Sequence, residues 1–176
     1  MSTPVYDVER LVQIASQHFH LPLDSIHGLA HWVRVYTLGQ YLCDQTGSKR
    51  SVDRDVVGLF AILHDIERTT DGADPQHGSR AADFIRTKNG DWFTCTPKQL
   101  DLLARACADH SKARSHDDPT IQLCWDSDRL DLWRIGIEPN INRLSSDVAK
   151  RAETIEMAQQ QFKAYPRFEL ITTPSG

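Results

Sequence analysis

Gly58-Leu59-Phe60-Ala61-Ile62-Leu63-His64-Asp65-Ile66-Glu67-Arg68 joins an apolar run directly to charged and metal-capable residues. It opens as an apolar helix and sets two metal-capable side chains, His64 and Asp65, where the apolar run stops. Placing an imidazole and a carboxylate at the end of a buried segment costs free energy unless something compensates. A metal ion is the compensation that uses both groups at once, so the rest of the chain is read for further ligands.

Around this stretch the sequence predicts helices throughout. Val8, Leu11, Val12, Ile14 and Ala15 recur at helical spacing and give a first amphipathic helix that frays near His18 to His20. Leu21-Pro22 breaks it. A long second helix is expected from Ser25 to about Gln45, with Asp24 or Ser25 as its cap and Gly47 as its terminator. His31, Val35, Leu38 and Leu42 share its inward face. The third helix starts near Val52 or Asp53 and carries Val56, Leu59, Phe60 and Leu63 inward to His64. Pro75 suits the start of a fourth helix from about Gln76 to Lys88, with His77, Ala81 and Phe84 or Ile85 on a common side. Thr96-Pro97-Lys98-Gln99 has the form of a capping box and opens a fifth helix to about His110. A sixth follows Pro119 and aligns Ile121, Cys124, Trp125 and Asp128. Asn140 to Asn142 interrupts, and a last helix is expected from Ser146 or Asp147 to about Phe162, before a loose tail over 165–176. No run alternates long enough to argue for a strand. The expected fold is an all-α, single-domain helical bundle.

The composition is that of an ordinary globular protein: 176 residues, 40% hydrophobic, 25% charged, formal net charge −4. It is not basic enough to suggest a nucleic-acid surface, and anions would have to be attracted locally, by a metal or by particular arginines. Cys43, Cys95, Cys107 and Cys124 lack any paired spacing and read as reduced core thiols. The N-terminus has no secretory apolar run and no stretch approaches a membrane span, so a cytoplasmic protein is expected, with no membrane partner and with a homodimer allowed.

On this reading separate helices bring His31, His64 with Asp65, His77, His110 and Asp128 to their inward sides. A single inward histidine is more often a satisfied core residue than a ligand. So many on buried faces would leave several desolvated polar groups, each costing roughly 1 to 3 kcal/mol when unpaired. The joint pattern favours a common site.

These residues in this order resemble the HD-domain superfamily of metal-dependent phosphohydrolases, whose pattern is His, then His-Asp, then Asp, on an all-helical bundle. The match reads His31 in His-Trp-Val-Arg-Val, His64-Asp65 in Leu-His-Asp-Ile-Glu, and Asp128 in Asp-Ser-Asp-Arg-Leu-Asp, over about residues 25–135. His77 in His-Gly-Ser-Arg-Ala-Ala and His110 in Asp-His-Ser look like the extra pair of the branch that holds two metals, which includes the HD-GYP phosphodiesterases. The resemblance implies one ion on His31, His64, Asp65 and Asp128, and a second on His77 and His110, with Asp65 bridging. Mixed imidazole and carboxylate ligands suit Mn, Fe, Co, Ni or Zn and argue against Ca. The chain departs from the HD-GYP proteins at Glu67-Arg68, where they have Gly-Lys, and it lacks their Gly-Tyr-Pro element. Small bacterial HD nucleotidases carry a glutamate where this chain has Arg68.

The activity so implied is hydrolysis of a small phosphorylated substrate by metal-activated water, with Asp65 and Asp128 at the centre. Glu67, or Asp131 one turn beyond Asp128, is the expected proton relay. Arg34, Arg68 and Arg129 are the expected phosphate anchors, whereas Arg80 and Lys112 read as surface pairs. His27 reads as a helix-end polar group, His18, His20 and His116 as solvated, and Asp126 as pointing away from the site. Two other classes share these ligand types: a di-iron oxygenase resembling inositol oxygenase, and a non-catalytic module stabilised by metal.

Overall fold

The computed structural model describes residues 5–47 and 51–166, and the expected tail beyond residue 166 lies outside the described residues. Among them the chain forms seven α-helices, and the only ladder pairing is an isolated bridge between Asn89 and Phe93. In order these are α1 (Val8–His18), α2 (Leu29–Thr46), α3 (Arg54–Leu63), α4 (His77–Lys88), α5 (Pro97–Asp109), α6 (Pro119–Leu130) and α7 (Ala152–Ala164). The all-α expectation holds. No helix among the described residues is long and apolar enough to cross a membrane.

The organising element is α3. Every residue from Val56 to Leu63 is buried, and a helix apolar on all sides has to be enclosed by others. It packs against α1, α2, α5 and α6. Because α3 is central, the two residues that follow it emerge in the middle of the molecule: His64 caps its C-terminus and Asp65 lies in the next turn, both buried.

Local signals set most helix starts. The carboxylates of Asp7, Asp53 and Asp118 accept N–H groups at the starts of α1, α3 and α6, and Thr96 with Gln99 forms the expected capping box of α5. Gly47, at φ 60°, ends α2 as anticipated. Cys95, Cys107 and Cys124 are buried free thiols; burial pushes Cys95 up to about 12 and the half-buried Cys43 up to about 11.

Two boundaries differ from expectation. The second helix starts at Leu29, not Ser25, because residues 22–29 are tied in tight turns: Ser25 N–H donates to Pro22 O (2.9 Å), Gly28 N–H to Ser25 O (3.0 Å) and Leu29 N–H to Leu23 O (2.9 Å). The doubled-back chain brings Leu23 O to within 2.2 Å of where a Cβ on Gly28 would sit, so only glycine fits there. The last helix starts at Ala152, not Ser146 or Asp147. Asp126 takes the Ser145 N–H (2.8 Å), the Ser146 N–H (2.7 Å) and the Ser146 hydroxyl (2.7 Å), and so holds this segment as a turn.

Gly78 lets α4 lie directly on α5: a Cβ there would meet Cys107 O at 2.4 Å and the His110 ring at 3.3 Å. Gly78→Ala is therefore predicted to destabilise the fold by about 1–3 kcal/mol, the usual cost of overpacking, measured by urea denaturation. An unchanged midpoint would contradict this packing.

Candidate metal centre

Four helices and the turn after α3 converge on one buried place. His31 comes from α2, His64 from the end of α3, His77 from the first position of α4, His110 from the end of α5 and Asp128 from α6. Each histidine uses its Nδ1 on the protein. His64 Nδ1–H donates to Phe60 O (3.0 Å), His110 to Cys107 O (2.7 Å), His77 to Asp74 O, and His31 to the Asp131 carboxylate (2.7 Å). A carbonyl or carboxylate only accepts, so each Nδ1 carries a proton, and in the neutral ring it is Nε2 that carries the lone pair.

Those lone pairs face one another. His31 Nε2 and His64 Nε2 are 3.1 Å apart, and His77 Nε2 and His110 Nε2 are 2.9 Å apart. Asp65 divides its oxygens between the two pairs. Its Oδ2 lies 3.7 and 3.4 Å from His31 and His64, and its Oδ1 lies 3.2 and 3.7 Å from His77 and His110. Asp128 Oδ1 is 3.4 Å from His31 Nε2, 3.7 Å from His64 Nε2, and accepts no hydrogen bond although buried. Donor atoms bound about 2.1 Å from a common ion, at angles of about 90–110°, are spaced about 3.0–3.4 Å apart. The set fits a divalent ion beside each histidine pair. Without a cation it would oppose lone pair to lone pair and leave a buried carboxylate oxygen unpaired.

The electrostatics divide the rings: burial opposes charge on His64, yet Asp65 and Asp128 raise it above its ordinary value. Burial, with the positive charges of Arg134 and His64, pushes His31 well below its ordinary value, which favours the neutral ring a metal needs. Burial opposes charge on Asp65, but His64 and hydrogen bonds from His110, His27 and His64 hold it well below the carboxylate range. Burial opposes Asp128 also, yet Arg134, His64 and His31 hold it at about 2.

Of the other expected residues, Arg68 and Arg129 stand in the wall of a cavity beside the cluster, and Glu67, Arg34 and Asp131 do not. Glu67, read as a proton relay, is turned away from the cluster: its two oxygens meet His18 Nε2 at 2.6 Å and His20 Nε2 at 3.4 Å, so those two histidines are not simply solvated. Arg34, read as a phosphate anchor, is buried, and its donors go to Asp131 (2.6 and 3.0 Å) and Tyr165 O (2.6 Å). Arg129 is engaged by the carbonyls of Ala113, Arg114 and Arg143. Arg68 reaches Asp65 Oδ1 (3.3 Å) and the carbonyls of Thr70 and Gly72. Asp131 does not face the cluster but stands behind it, gripping His31 and Arg34. Asp126 points away, as expected, and Arg80 pairs with Asp74.

Two residues were missed. His27 is buried, its Nδ1 2.8 Å from Asp65 Oδ2; its spacing of four before His31 was the one available signal, and the turn ahead of α2 gives it a direction of its own. Arg134, in the tight helical turn Asp131–Ile135, sets Nη2 3.5 Å from Asp128 Oδ1 while its buried Nε has no partner. Nothing in the local sequence marked it.

A cavity of about 390 Å³ opens onto the cluster, with His27, Asp65, His110, Asp128 and Arg134 in its wall. Asp71, from the loop after α3, and Ser111, Lys112 and Ala113, from the loop after α5, also line it. Comparison with protein-family models finds the HD domain over residues 28–144. No curated protein and no solved structure matches the chain.

Removing Asp131 would strand the buried Arg34 charge and free the His31 ring. Asp131→Ala is predicted to lose about 3–5 kcal/mol of stability and to bind Mn²⁺ or Zn²⁺ about 10- to 100-fold more weakly, read by denaturation and by metal titration. Stability and affinity both at the wild-type level would contradict its role behind His31.

Proposed function

The chain belongs to the HD-domain family, whose members are generally metal-dependent hydrolases, and from that premise we propose that it hydrolyses a small phosphate ester. The observation that carries the reading is the division of Asp65 between two histidine pairs, beside a cavity whose wall is basic. Arg68, Lys112, Arg129, Arg134 and Arg143 line it against Asp65, Asp71 and Asp128, although the chain as a whole carries −4. A locally positive pocket in a net-negative protein selects for an anion that is small enough to enter. A second cavity of about 300 Å³ shares Ile26, Asp71 and Arg134 with the first and is also walled by Phe162, which suits the organic part of a phosphorylated metabolite such as a nucleotide.

His31, His64, Asp65 and Asp128 would hold one divalent ion, and His77, His110 and Asp65 a second, with Mn, Fe, Co, Ni and Zn all compatible with the donors. Bound there, such an ion supplies a water of lowered pKa and neutralises charge on phosphoryl oxygens. The protein's own residues do the rest. Arg134 has an unused Nε and an Nη2 beside Asp128, so it is the arginine best able to take phosphoryl oxygens; every nitrogen of Arg34 is already engaged by Asp131 or Tyr165. His27 donates Nδ1–H to Asp65 Oδ2, which leaves Nε2 as its acid–base atom for the leaving oxygen. Asp131 and the carbonyls of Phe60, Asp74 and Cys107 keep the four ligand rings in one tautomer and one orientation.

The test is phosphate release from panels of nucleotides and sugar phosphates by metal-analysed protein supplied with Mn²⁺, Co²⁺, Ni²⁺ or Mg²⁺. Turnover is expected with at least one ion, abolished in His64→Ala and restored to none of the panels by raising substrate. Arg134→Ala is expected to lower kcat/KM on the order of 100-fold while metal content stays at the wild-type level. Metal-loaded protein that consumes oxygen but releases no phosphate, or does neither, would overturn the proposal.

A further inference from the structure

A second cluster of ligand atoms lies apart from the buried one. At the end of α1 the backbone leaves the helix at Phe19 (φ −56°, ψ 132°), and the His18 and His20 rings come to lie 5.1 Å apart. Phe19 goes inward onto Trp32, with ring centroids 5.0 Å apart, and His18 and His20 turn together to the other side. There they meet the two oxygens of Glu67, His18 Nε2 at 2.6 Å from Oε1 and His20 Nε2 at 3.4 Å from Oε2. The three donor atoms lie within 4.8 Å of one another. None of the three makes an ion pair with the residues of the buried cluster.

The arrangement is held from outside itself. The His18 ring stacks on Phe84 (centroids 4.3 Å, interplanar 23°) and meets Trp92 edge-on at 5.7 Å, so its direction is set by packing. Arg80 donates to the Glu67 carbonyl (2.8 Å) and fixes the turn from which the carboxylate projects. An ordinary ion pair needs one imidazolium for one carboxylate. Here a second ring, 5.1 Å from the first, approaches the same carboxylate through the same type of nitrogen, and charging both rings would set like charges together. A divalent cation accepts both rings neutral together with the carboxylate. The side chains are 31%, 43% and 18% exposed, which leaves room for water to complete the coordination.

We propose that His18, His20 and Glu67 form a separate site for a divalent transition ion of the zinc type, coordinated by two imidazoles and one carboxylate with open positions filled by water. The bound ion ties the end of α1 to the turn that carries Asp65, two residues before Glu67. The site does not depend on what the buried cluster catalyses.

The test counts ions. Wild-type protein, His20→Ala and Glu67→Gln are dialysed to equilibrium against micromolar free Zn²⁺ and analysed for metal, with circular dichroism to verify folding. Each variant is expected to hold one ion fewer than wild type. His20 is exposed and outside any helix, so His20→Ala decides the matter if Glu67→Gln folds poorly. Independently, Cu²⁺ or Ni²⁺ should quench the Trp92 share of the tryptophan emission in wild type, reversibly with chelator; His20→Ala and Trp92→Phe should each lose that share and keep the quenching caused by an ion at the buried cluster. Equal Zn²⁺ content in wild type and His20→Ala, or quenching in His20→Ala as strong as in wild type, would overturn the proposal. Neither readout involves phosphate release, so its failure is distinct from failure of the hydrolase reading.

Discussion

Four imidazole lone pairs aimed at one another inside a protein are an unstable arrangement, and this structure is built around it. The four Nε2 atoms pair at 3.1 and 2.9 Å, and each Nδ1 donates to an acceptor that can only accept, so with neutral rings no N–H lies between them. Apolar burial cannot relieve that repulsion, and water would need donors it does not have in sufficient number at so close a spacing. A cation relieves it and gives Asp128 Oδ1, which accepts no hydrogen bond, a direct partner at the same time. Metal binding at such a cluster and the packing of the helix ends would be one free-energy problem, since the candidate ligands are also residues by which α2 to α6 meet.

The fold makes this arrangement affordable by distributing it. No helix supplies more than one ligand histidine, so each contributes an apolar face to the core and a single polar side chain at one end or turn. The burial of α3 is what fixes the location: eight consecutive buried residues force its C-terminus into the interior, and His64 and Asp65 arrive there without any specific guidance of their own. The close approach of α4 to α5 across Gly78 then brings His77 against His110. Shape constraints carried by apolar residues and glycines thus set distances that the ligands use.

What could be read from the sequence follows the same division. Helix periodicity and side-chain caps depend on neighbours within a few residues, and the starts of α1, α3, α5 and α6 were legible for that reason. The buried ligand candidates were legible because each sits at an interval on an apolar face. The start of α2 was hidden, since it depends on Gly28 passing against the Leu23 carbonyl, and the start of α7 was hidden because Asp126, twenty residues away, captures Ser146. Arginines were the least legible. Arg34 and Arg134 both follow motif residues, yet one is consumed by Asp131 and the other is left with a free Nε, a difference set by long-range pairing that no local pattern encodes.

That pairing also extends the centre beyond its ligands. His31 is oriented by Asp131, Asp131 is gripped by Arg34 through two hydrogen bonds, and the remaining Arg34 donor goes to the carbonyl of Tyr165 just past the end of α7. Arg34 also lies over the Phe162 ring, 5.4 Å from its centroid. A ligand ring on α2 is therefore connected, through one buried carboxylate and one buried guanidinium, to a helix that contributes no ligand at all. Burial raises Asp131 despite Arg34, so the carboxylate is not deeply stabilised and depends on both partners to stay charged behind His31. The C-terminal helix, which looks peripheral by packing, is coupled by charge to the ligand geometry.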